Sequence, residues 1–340
     1  MRRVAIVTPV LDDWESFTQL VDRIARLALP DVDWIEIVAV DDGSVAAFDP
    51  ASIDLPMGGC VNGIRVVHLA LNLGHQRAIA VGLVTLSART NLDGVIVMDS
   101  DGEDRPDDIP GLLDRARASP NRVVMAHRAR RSESAMFKAG YKLYKLSFRL
   151  LTGRGISFGN FSFLPFAAAR RLVHMPELWN NLPAAIIRSR LPFVTANTER
   201  GTRFAGQSKM NFSNLVIHGL SAMSVYTDLI FIRSLMAAGV ISTLALLAIF
   251  VVVAVRFGSD LAIPGWATLV FGDLVIILIQ AVLTIVATSL MVLAGRSARP
   301  MVPIADASMF IRDIVEAFPG AAHLDTPAHL DTPADGGTAA

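Results

Sequence analysis

Two long stretches without a charged residue, Leu235–Val255 and Leu274–Leu293, limit most strongly how this 340-residue chain can fold. At about 1.5 Å of rise per residue, each would form a helix of roughly 30 Å, the thickness of a bilayer's hydrocarbon core. Both are apolar around the whole helix circumference, whereas a helix on the surface of a soluble domain keeps a polar face. A buried helix pair in a soluble protein is the alternative. The pattern favours a transmembrane hairpin.

The charges that flank these stretches predict the orientation of such a hairpin. Arg233 precedes the first stretch, and Arg296 and Arg299 follow the second. The connecting segment Arg256–Asp273 offers only Arg256 as a basic residue. Because cytosolic loops are enriched in Lys and Arg, both ends of the hairpin are expected in the cytosol. We therefore predict a multi-pass protein of the cell inner (plasma) membrane with both termini cytosolic.

The first hundred residues show a different pattern, in which short β-type runs alternate with helical periodicity. Strands are predicted at Val4–Val10, Ile35–Val40, Ile64–Leu69 and Gly94–Met98, and helices at Trp14–Leu29 and Gln76–Leu86. This alternation is typical of an α/β fold with a mostly parallel, Rossmann-like sheet. Ligands of such sheets bind beyond the carboxyl ends of the strands.

Acidic clusters follow two of the predicted strands at that edge. Asp41 and Asp42 follow the second strand, and Asp99 and Asp101 follow the fourth. Carboxylates at alternate positions of a turn supply the hard oxygen ligands that Mg²⁺ or Mn²⁺ prefers. Acidic turns also occur as solubilising caps, so the pair alone leaves both interpretations open.

Several such elements occur in one order along the chain. They are Pro9 with Asp12-Asp13, then Asp41-Asp42-Gly43-Ser44, then Asn72-Leu73-Gly74 with Ala78 and Gly82, and then Asp99-Ser100-Asp101-Gly102-Glu103-Asp104-Arg105-Pro106. In this order the chain resembles the family 2 glycosyltransferases of GT-A fold. Within that family it resembles the polyprenyl-phosphate glycosyltransferases, which include dolichol-phosphate mannose synthase.

The resemblance implies a ligand and a role for each acidic element. It implies a nucleoside diphosphate sugar, UDP- or GDP-linked, whose base and ribose are contacted by Pro9, Asp13, Asp41 and Asp42. It also implies Mg²⁺ or Mn²⁺ and the diphosphate at Asp99 and Asp101, with Glu103 as a further metal ligand. The metal would neutralise charge that develops on the leaving diphosphate.

Two basic segments complete the predicted site. Ala126–Arg131 matches the family's basic segment after the next strand and contributes Arg128 and Arg131. Residues 203–209 reproduce the family's R-x-x-G-x-S-K, in which Arg203 and Lys209 approach the phosphates of donor and acceptor. Asp101, Arg203, Lys209 and Arg128 form the predicted catalytic set. A basic patch that binds only the lipid surface is the alternative.

The order of these parts predicts five regions. They are a GT-A domain at 1–212, a juxtamembrane amphipathic segment at 213–230, the hairpin at 231–299 with spans 235–255 and 274–293, a cytosolic segment at 300–318, and a disordered tail at 319–340. Within the first region, Lys138, Lys142, Lys145 and Arg149 lie at helical spacing and predict a basic interfacial helix over about 138–151. A surface helix packed on the domain is the alternative.

One position departs from the family. Relatives carry an acidic residue, proposed to act on the acceptor, where this chain has Asn160 in Ser157–Ser162. An amide cannot act as a general base, but an ionised phosphate acceptor needs none. The resemblance therefore implies inverting transfer of one sugar to a membrane polyprenyl phosphate at the cytosolic leaflet. Transfer to a glycolipid hydroxyl, or a non-catalytic sugar-nucleotide-binding membrane protein, are the alternatives.

The composition limits which classes of partner and cross-link are expected. Basic and acidic residues balance at 31 each, which gives no reason to expect a nucleic acid. The single cysteine, Cys60, excludes an internal disulfide and a multi-cysteine zinc site. Arg2 and Arg3 precede only a short apolar run, so no signal-peptide core is expected at the N-terminus. The sequence is compatible with a homo-oligomer.

Overall fold

The computed structural model describes residues 3–53, 55, 59–128, 146–153, 158–206, 219–258, 265–297 and 299–318. Its strands are β1 Arg3–Val10, β2 Trp34–Asp41, β3 Val61–Leu69, β4 Gly94–Val97, β5 Val123–Arg128, β6 Ser162–Pro165, β7 Phe193–Thr198 and β8 Ile311–Phe318. Among these residues the eight strands form one sheet in the order β7-β5-β6-β4-β1-β2-β3-β8.

Helices connect the strands and continue beyond them. They are α1 Trp14–Ala25, α2 His75–Ser87, α3 Ile109–Ala118, α4 Phe166–Leu172, α5 Leu182–Arg188, α6 Thr227–Gly258, α7 Trp266–Ser297 and α8 Pro303–Asp306. Residues 146–152 and 219–224 are also helical. The chain divides into two compact units, one with residues 1–134, 156–225 and 301–340, and the other with residues 135–155 and 226–300.

The centre of the sheet is parallel and buried on both faces. Strand β1 pairs in parallel with β2 and with β4, and β2 pairs in parallel with β3. Alternate residues of β1 belong to opposite apolar clusters: Ala5 and Val7 pack with residues of α2, and Val4 and Ile6 pack with residues of α1 and α3. This period of two, with both faces covered, explains why β1 reads as a continuous apolar run. The predicted mostly parallel α/β fold is confirmed.

The outer strands make the sheet mixed without moving the functional edge. Strand β6 is antiparallel to both β4 and β5, so β5 points the same way as β4, and β7 is parallel to β5. The carboxyl ends of β1, β2, β4, β5 and β7 therefore lie along one edge. Strand β8 pairs antiparallel with β3. No strand was predicted there, because Arg312, Asp313 and Glu316 interrupt the apolar pattern on a largely exposed edge strand.

The second unit contains the two apolar helices. Helices α6 and α7 include the predicted spans, are long and apolar enough to cross a membrane, and pack against each other. Only 17% and 6% of the residues in their most apolar windows are buried. The buried residues of α6, Ala238, Ala245 and Val252, recur every seven residues, a spacing that places small side chains along one helix face. The exposed apolar surface of this unit indicates association with a membrane.

Candidate active site

One guanidinium joins two of the predicted acidic elements. Arg203, in the segment that follows β7, donates from Nη2 to Asp13 Oδ2 at 2.5 Å and from Nη1 to Asp101 Oδ2 at 3.0 Å. Its Nε donates to the carbonyl oxygen of Ala205 at 3.0 Å. All three charged side chains are at most 20% exposed. The structure therefore brings together the predicted nucleotide-side carboxylate, the predicted metal ligand and the predicted phosphate-binding arginine.

Backbone contacts explain why Arg203 lies there. Gly201 N–H donates to the carbonyl of Glu103 at 2.9 Å, and Phe204 N–H donates to the carbonyl of Asp101 at 2.8 Å. The segment thus runs along the turn that follows β4. Gly102 in this turn has φ +87°, and a Cβ there would lie 2.7 Å from the Phe204 ring. Glycine is required at this position both for the backbone conformation and for the close contact.

The first acidic pair holds loops in place. Asp42 Oδ1 accepts the N–H of Leu73 at 2.7 Å, and its Oδ2 accepts the N–H of Gly74 at 2.9 Å. Asp41 accepts the N–H of Ser44 at 2.8 Å and lies 2.7 Å from His68 Nδ1. Burial raises the pKa of Asp42, and the two N–H groups oppose that rise. These carboxylates connect the ends of β2 and β3, and their contacts with base and ribose stay a prediction.

The D-x-D turn is tied to β1 and folded on itself. Ser100 Oγ donates to the carbonyl of Pro9 at 3.1 Å. The N–H of Asp99 donates to Asp104 Oδ2 at 3.0 Å, and the N–H of Glu103 donates to Asp101 Oδ1 at 2.9 Å. Burial and then the charge of Asp99 raise the pKa of Asp101. Asp101 already has a cation beside it, the guanidinium of Arg203, which opposes this rise.

The donor set fits a metal that arrives together with a diphosphate. In the described part of the chain, no group of three or more His, Cys, Asp or Glu side chains is arranged to hold a metal alone. Mg²⁺ is commonly bound by one or two carboxylates, with substrate phosphates and water completing the octahedron. Asp99 and Asp101 supply that number. Asp101 accepts a hydrogen bond from Arg203 and Glu103 accepts one from Arg200 at 2.8 Å, and the roles of Asp99, Asp101 and Glu103 as metal ligands stay predictions.

His75 is a site residue that the sequence did not single out. It begins α2, and its Nε2 lies 3.2 Å from Asp99 Oδ1 and 2.9 Å from Asn160 Nδ2. Partial removal from water favours the neutral form of this 42% exposed ring, but Asp99, Asp104 and Asp101 outweigh it and raise the pKa of His75. The signal was its position directly after Asn72-Leu73-Gly74, where a helix begins at the functional edge.

The remaining predicted site residues are only partly within the described residues. Arg128 ends β5 at the functional edge, opposite Thr198 of β7. Arg131 and Lys209 lie outside the described residues, as do Lys138, Lys142 and Lys145 of the predicted interfacial helix, of which residues 146–152 are described as helical. The predicted tail 319–340 also lies outside them.

Comparison with known proteins identifies the class. Residues 5–173 match the family model described as Glycosyl transferase family 2. The matched range contains β1 to β6, the acidic elements and Asn160. The chain thus carries a domain of glycosyl transferase family 2 with a GT-A-like fold, and it is a glycosyltransferase.

The chain is also similar in sequence to individual glycosyltransferases. An uncharacterized glycosyltransferase of Synechocystis sp. is 25% identical over 278 residues, 78% of this chain and 82% of the relative. An undecaprenyl-phosphate 4-deoxy-4-formamido-L-arabinose transferase of Yersinia enterocolitica is 27% identical over 286 residues, 79% of this chain and 82% of the relative. The match with the enzyme of that name from Yersinia pestis is 29% identical and spans 51% of this chain and 50% of the relative.

Solved structures are also similar. Glucosyl-3-phosphoglycerate synthase from Mycobacterium tuberculosis, in complex with Mn²⁺, UDP-glucose and phosphoglyceric acid, aligns with a TM-score of 0.45 at 15% identity. The alignment covers 67% of this chain and 80% of that chain.

Proposed function

We propose that this glycosyltransferase moves one sugar from a UDP- or GDP-linked donor to a membrane polyprenyl phosphate, with inversion and with a divalent metal. The observation that carries the proposal is the pairing of Arg203 with both Asp13 and Asp101. It supports a single site in which Asp13, expected to contact the nucleotide, and Asp101, expected to bind the metal, both face Arg203. A guanidinium can bind two phosphate oxygens at once through parallel hydrogen bonds. Mg²⁺ or Mn²⁺ at Asp99 and Asp101 would neutralise charge on the departing diphosphate.

The acceptor follows from Asn160 and from the relatives. The Yersinia relatives are named for transfer to undecaprenyl phosphate. Both amide atoms of Asn160 are hydrogen bonded, to Gln76 and to His75, and an amide cannot remove a proton from a hydroxyl. A phosphate acceptor is already ionised and nucleophilic. These observations favour a lipid phosphate over a glycolipid hydroxyl as acceptor.

Phosphate binding by Lys209, Arg128 and Arg131 belongs to the same proposal, as do base and ribose binding by Pro9, Asp41 and Asp42. The proposed organisation keeps a catalytic region at 1–212 and a hairpin at 231–299. We place the catalytic region and both termini in the cytosol and the protein in the inner membrane as a multi-pass protein. The support is the exposed apolar surface of α6 and α7, together with Arg296 and Arg299 after α7's apolar stretch.

Membranes containing the chain, incubated with labelled UDP- and GDP-sugars and then extracted for lipid, test the proposal. A labelled lipid that releases its sugar under mild acid is expected, because a glycosyl phosphate is more acid-labile than a glycoside. Asp101→Asn membranes are the control and should give no labelled lipid. An acid-stable labelled glycolipid would support the hydroxyl acceptor instead. Binding of the nucleotide sugar without any labelled lipid would support a non-catalytic protein.

A further inference from the structure

The aromatic ring of Phe204, the residue after Arg203, is held from two sides. On one side a Cβ at Gly102 would lie 2.7 Å from three atoms of this ring, so the ring rests directly on the glycine backbone. On the other side the guanidinium carbon of Arg23, in the last turn of α1, lies 4.4 Å from the ring centroid. Phe204 also packs against the buried apolar cluster that includes residues of α1. The ring is therefore fixed between the turn after β4 and helix α1.

The backbone on both sides of Arg203 is bound to that turn. The N–H groups of Gly201 and Phe204 donate to carbonyl oxygens of the turn at 2.9 Å and 2.8 Å. A Cβ at Gly201 would collide with the carbonyl oxygen of Gly102, so the two backbones approach too closely for any side chain at that position. Arg203 thus lies on a short segment with one fixed point before it and one after it.

The direction of the Arg203 guanidinium depends on the backbone that follows Phe204. Arg203 Nε donates to the carbonyl oxygen of Ala205 at 3.0 Å. With Nε held there, Nη1 and Nη2 reach Asp101 and Asp13. Because Phe204 lies between Arg203 and Ala205, a shift of its backbone moves both the base of the arginine side chain and the carbonyl that orients its head. A planar guanidinium binds two oxygens well only in the correct orientation.

We propose that Phe204 is a positioning residue for Arg203. Its ring, held between Gly102 and Arg23, fixes the backbone so that the guanidinium faces the phosphate oxygens of the donor. The inference rests on the proposed function, which assigns Arg203 to phosphate binding. The ring needs no contact of its own with the nucleotide, so its effect should be transmitted through Arg203. A misplacement of about 1 Å in a binding group can lower a rate by about 100-fold.

A double-mutant cycle on nucleotide affinity tests this role without any turnover. Isothermal titration calorimetry measures the binding of UDP and of GDP to the purified full chain in detergent with Mn²⁺ present. We expect Phe204→Ala to weaken binding by about 10-fold or more, the scale of one lost hydrogen bond to a charged group. The same change in the Arg203→Ala protein should have little further effect, because the group that the ring positions is already absent.

Two further changes separate the ring from its packing in general. Phe204→Tyr keeps the ring between Gly102 and Arg23 and should retain most of the affinity. Arg23→Ala removes the cation beside the ring and should weaken binding by about 2–5-fold, the scale of an exposed cation–π contact. This effect should also disappear in the Arg203→Ala background. Because the Arg23 side chain is exposed, Arg23→Ala should fold normally and decides the matter if Phe204→Ala gives too little folded protein.

Phe193→Ala is the matched control, because Phe193 is an aromatic residue at the beginning of β7, at the opposite end of that strand from the edge with the predicted site. It should bind UDP or GDP as the unmodified chain does. Unchanged affinity in Phe204→Ala would overturn the positioning role. An equal loss in the unmodified and Arg203→Ala backgrounds would also overturn it, because the ring would then act independently of the guanidinium.

Failure of the proposed function gives a different result. If neither UDP nor GDP binds to the unmodified chain, the proposed function is wrong and the positioning role with it. If the unmodified chain binds one of them and Arg203→Ala binds it equally well, phosphate binding by Arg203 is wrong and the ring has nothing to position. Only a loss in Arg203→Ala that Phe204→Ala does not share would contradict the positioning role alone.

Discussion

Strand β1 and helix α7 are both rich in large aliphatic side chains, yet their surroundings are opposite. Val4, Ile6 and Val7 of β1 are fully buried, whereas Leu283 and Leu290 of α7 are 62% and 60% exposed. Apolar area that the chain covers itself stabilises the sheet by removal from water. Apolar area that the chain leaves uncovered in such extent needs another apolar environment, and a membrane is the one that the length of these helices fits.

Charged side chains are concentrated at the edge of the sheet and are absent from the apolar stretch of α7. The sheet edge with the predicted site holds Asp13, Asp101 and Arg203 in one bonded group, whereas the apolar stretch 274–293 of α7 contains no charged residue. Chemistry should therefore depend on the unit with the sheet, and location on the unit with the two helices. Substitutions in one unit should therefore change one of these properties and leave the other unchanged.

The largest effect is expected for Asp101→Asn. The change removes one negative charge from the predicted metal site and the ion pair with Arg203, while it keeps the size of the side chain. Transfer of labelled sugar to lipid should fall to background over a full manganese titration. The protein should still be recovered in the membrane fraction in normal amount. Wild-type turnover at every metal concentration would remove Asp101 from the site.

Stability should separate buried from exposed apolar positions. Ile6 is fully buried in β1, and Leu246 of α6 is 57% exposed. Ile6→Ala should destabilise the catalytic unit by about 2–5 kcal/mol, the usual range for a buried large aliphatic residue. Leu246→Ala should change stability by no more than about 0.5 kcal/mol. Unfolding in detergent, followed by tryptophan fluorescence, measures both. Equal losses would contradict the assignment of α6 to a lipid-facing environment.

Arg203 should affect turnover and leave membrane binding unchanged. If Arg203 stabilises charge that develops on phosphate, Arg203→Ala should lower turnover by about a hundredfold, or about 3 kcal/mol. Lys209→Ala should act in the same direction. A purely adhesive role predicts a loss of only about 1 kcal/mol per basic residue, screened by salt. Turnover in detergent with a soluble short-chain acceptor distinguishes the two, since near-normal rates there would leave only the membrane patch.

Much of the difference between the two regions could be predicted from the sequence, because it depends on the local pattern of residue types. The β1 run, the uncharged stretches and the order of the acidic turns are contiguous features, and the fold and class that they predict are confirmed. Helix α1 ends at Ala25, earlier than the predicted Leu29. Apolar periodicity continues past the helix because Leu27 and Leu29 still pack on the core from a loop.

The contacts that organise the site could not be predicted from local sequence patterns. The pairing of Arg203 with Asp13 joins residues 190 positions apart, and that of Asn160 with Gln76 joins residues 84 apart. Neither spacing has a local signature. Strand β8 was missed for a related reason, since its pairing with β3 closes a long connection and its side chains are mostly exposed. Sequence pattern identifies the residue types at the site, and the fold determines which of them meet.

The smallest effect is expected for the charges that orient the hairpin. Arg233 donates to the carbonyl oxygens of Arg149 and Leu150 at the end of the helical residues 146–152. Its charge is therefore partly neutralised by these carbonyl dipoles and should contribute less to orientation. Arg296 and Arg299 should then contribute most of the orientation preference. Each basic residue near a membrane surface is worth about 1 kcal/mol. Replacement of both by Gln should therefore raise the ratio of inverted to normal molecules by about 30-fold.

Reporter fusions after residue 230 and between Gly258 and Gly265 measure this ratio, and Arg256→Gln is the matched control. Removal of the basic residue from the connecting segment should leave the ratio unchanged or lower it, because that segment is expected on the opposite side of the membrane. If Arg256→Gln raises the inverted fraction as much as the double substitution does, the orientation does not depend on which side of the membrane a basic residue lies, which would contradict the prediction. Cytosolic signals from both fusions of the unmodified chain would refute the hairpin itself, and the exposed surface of α6 and α7 would then require a protein partner as its cover.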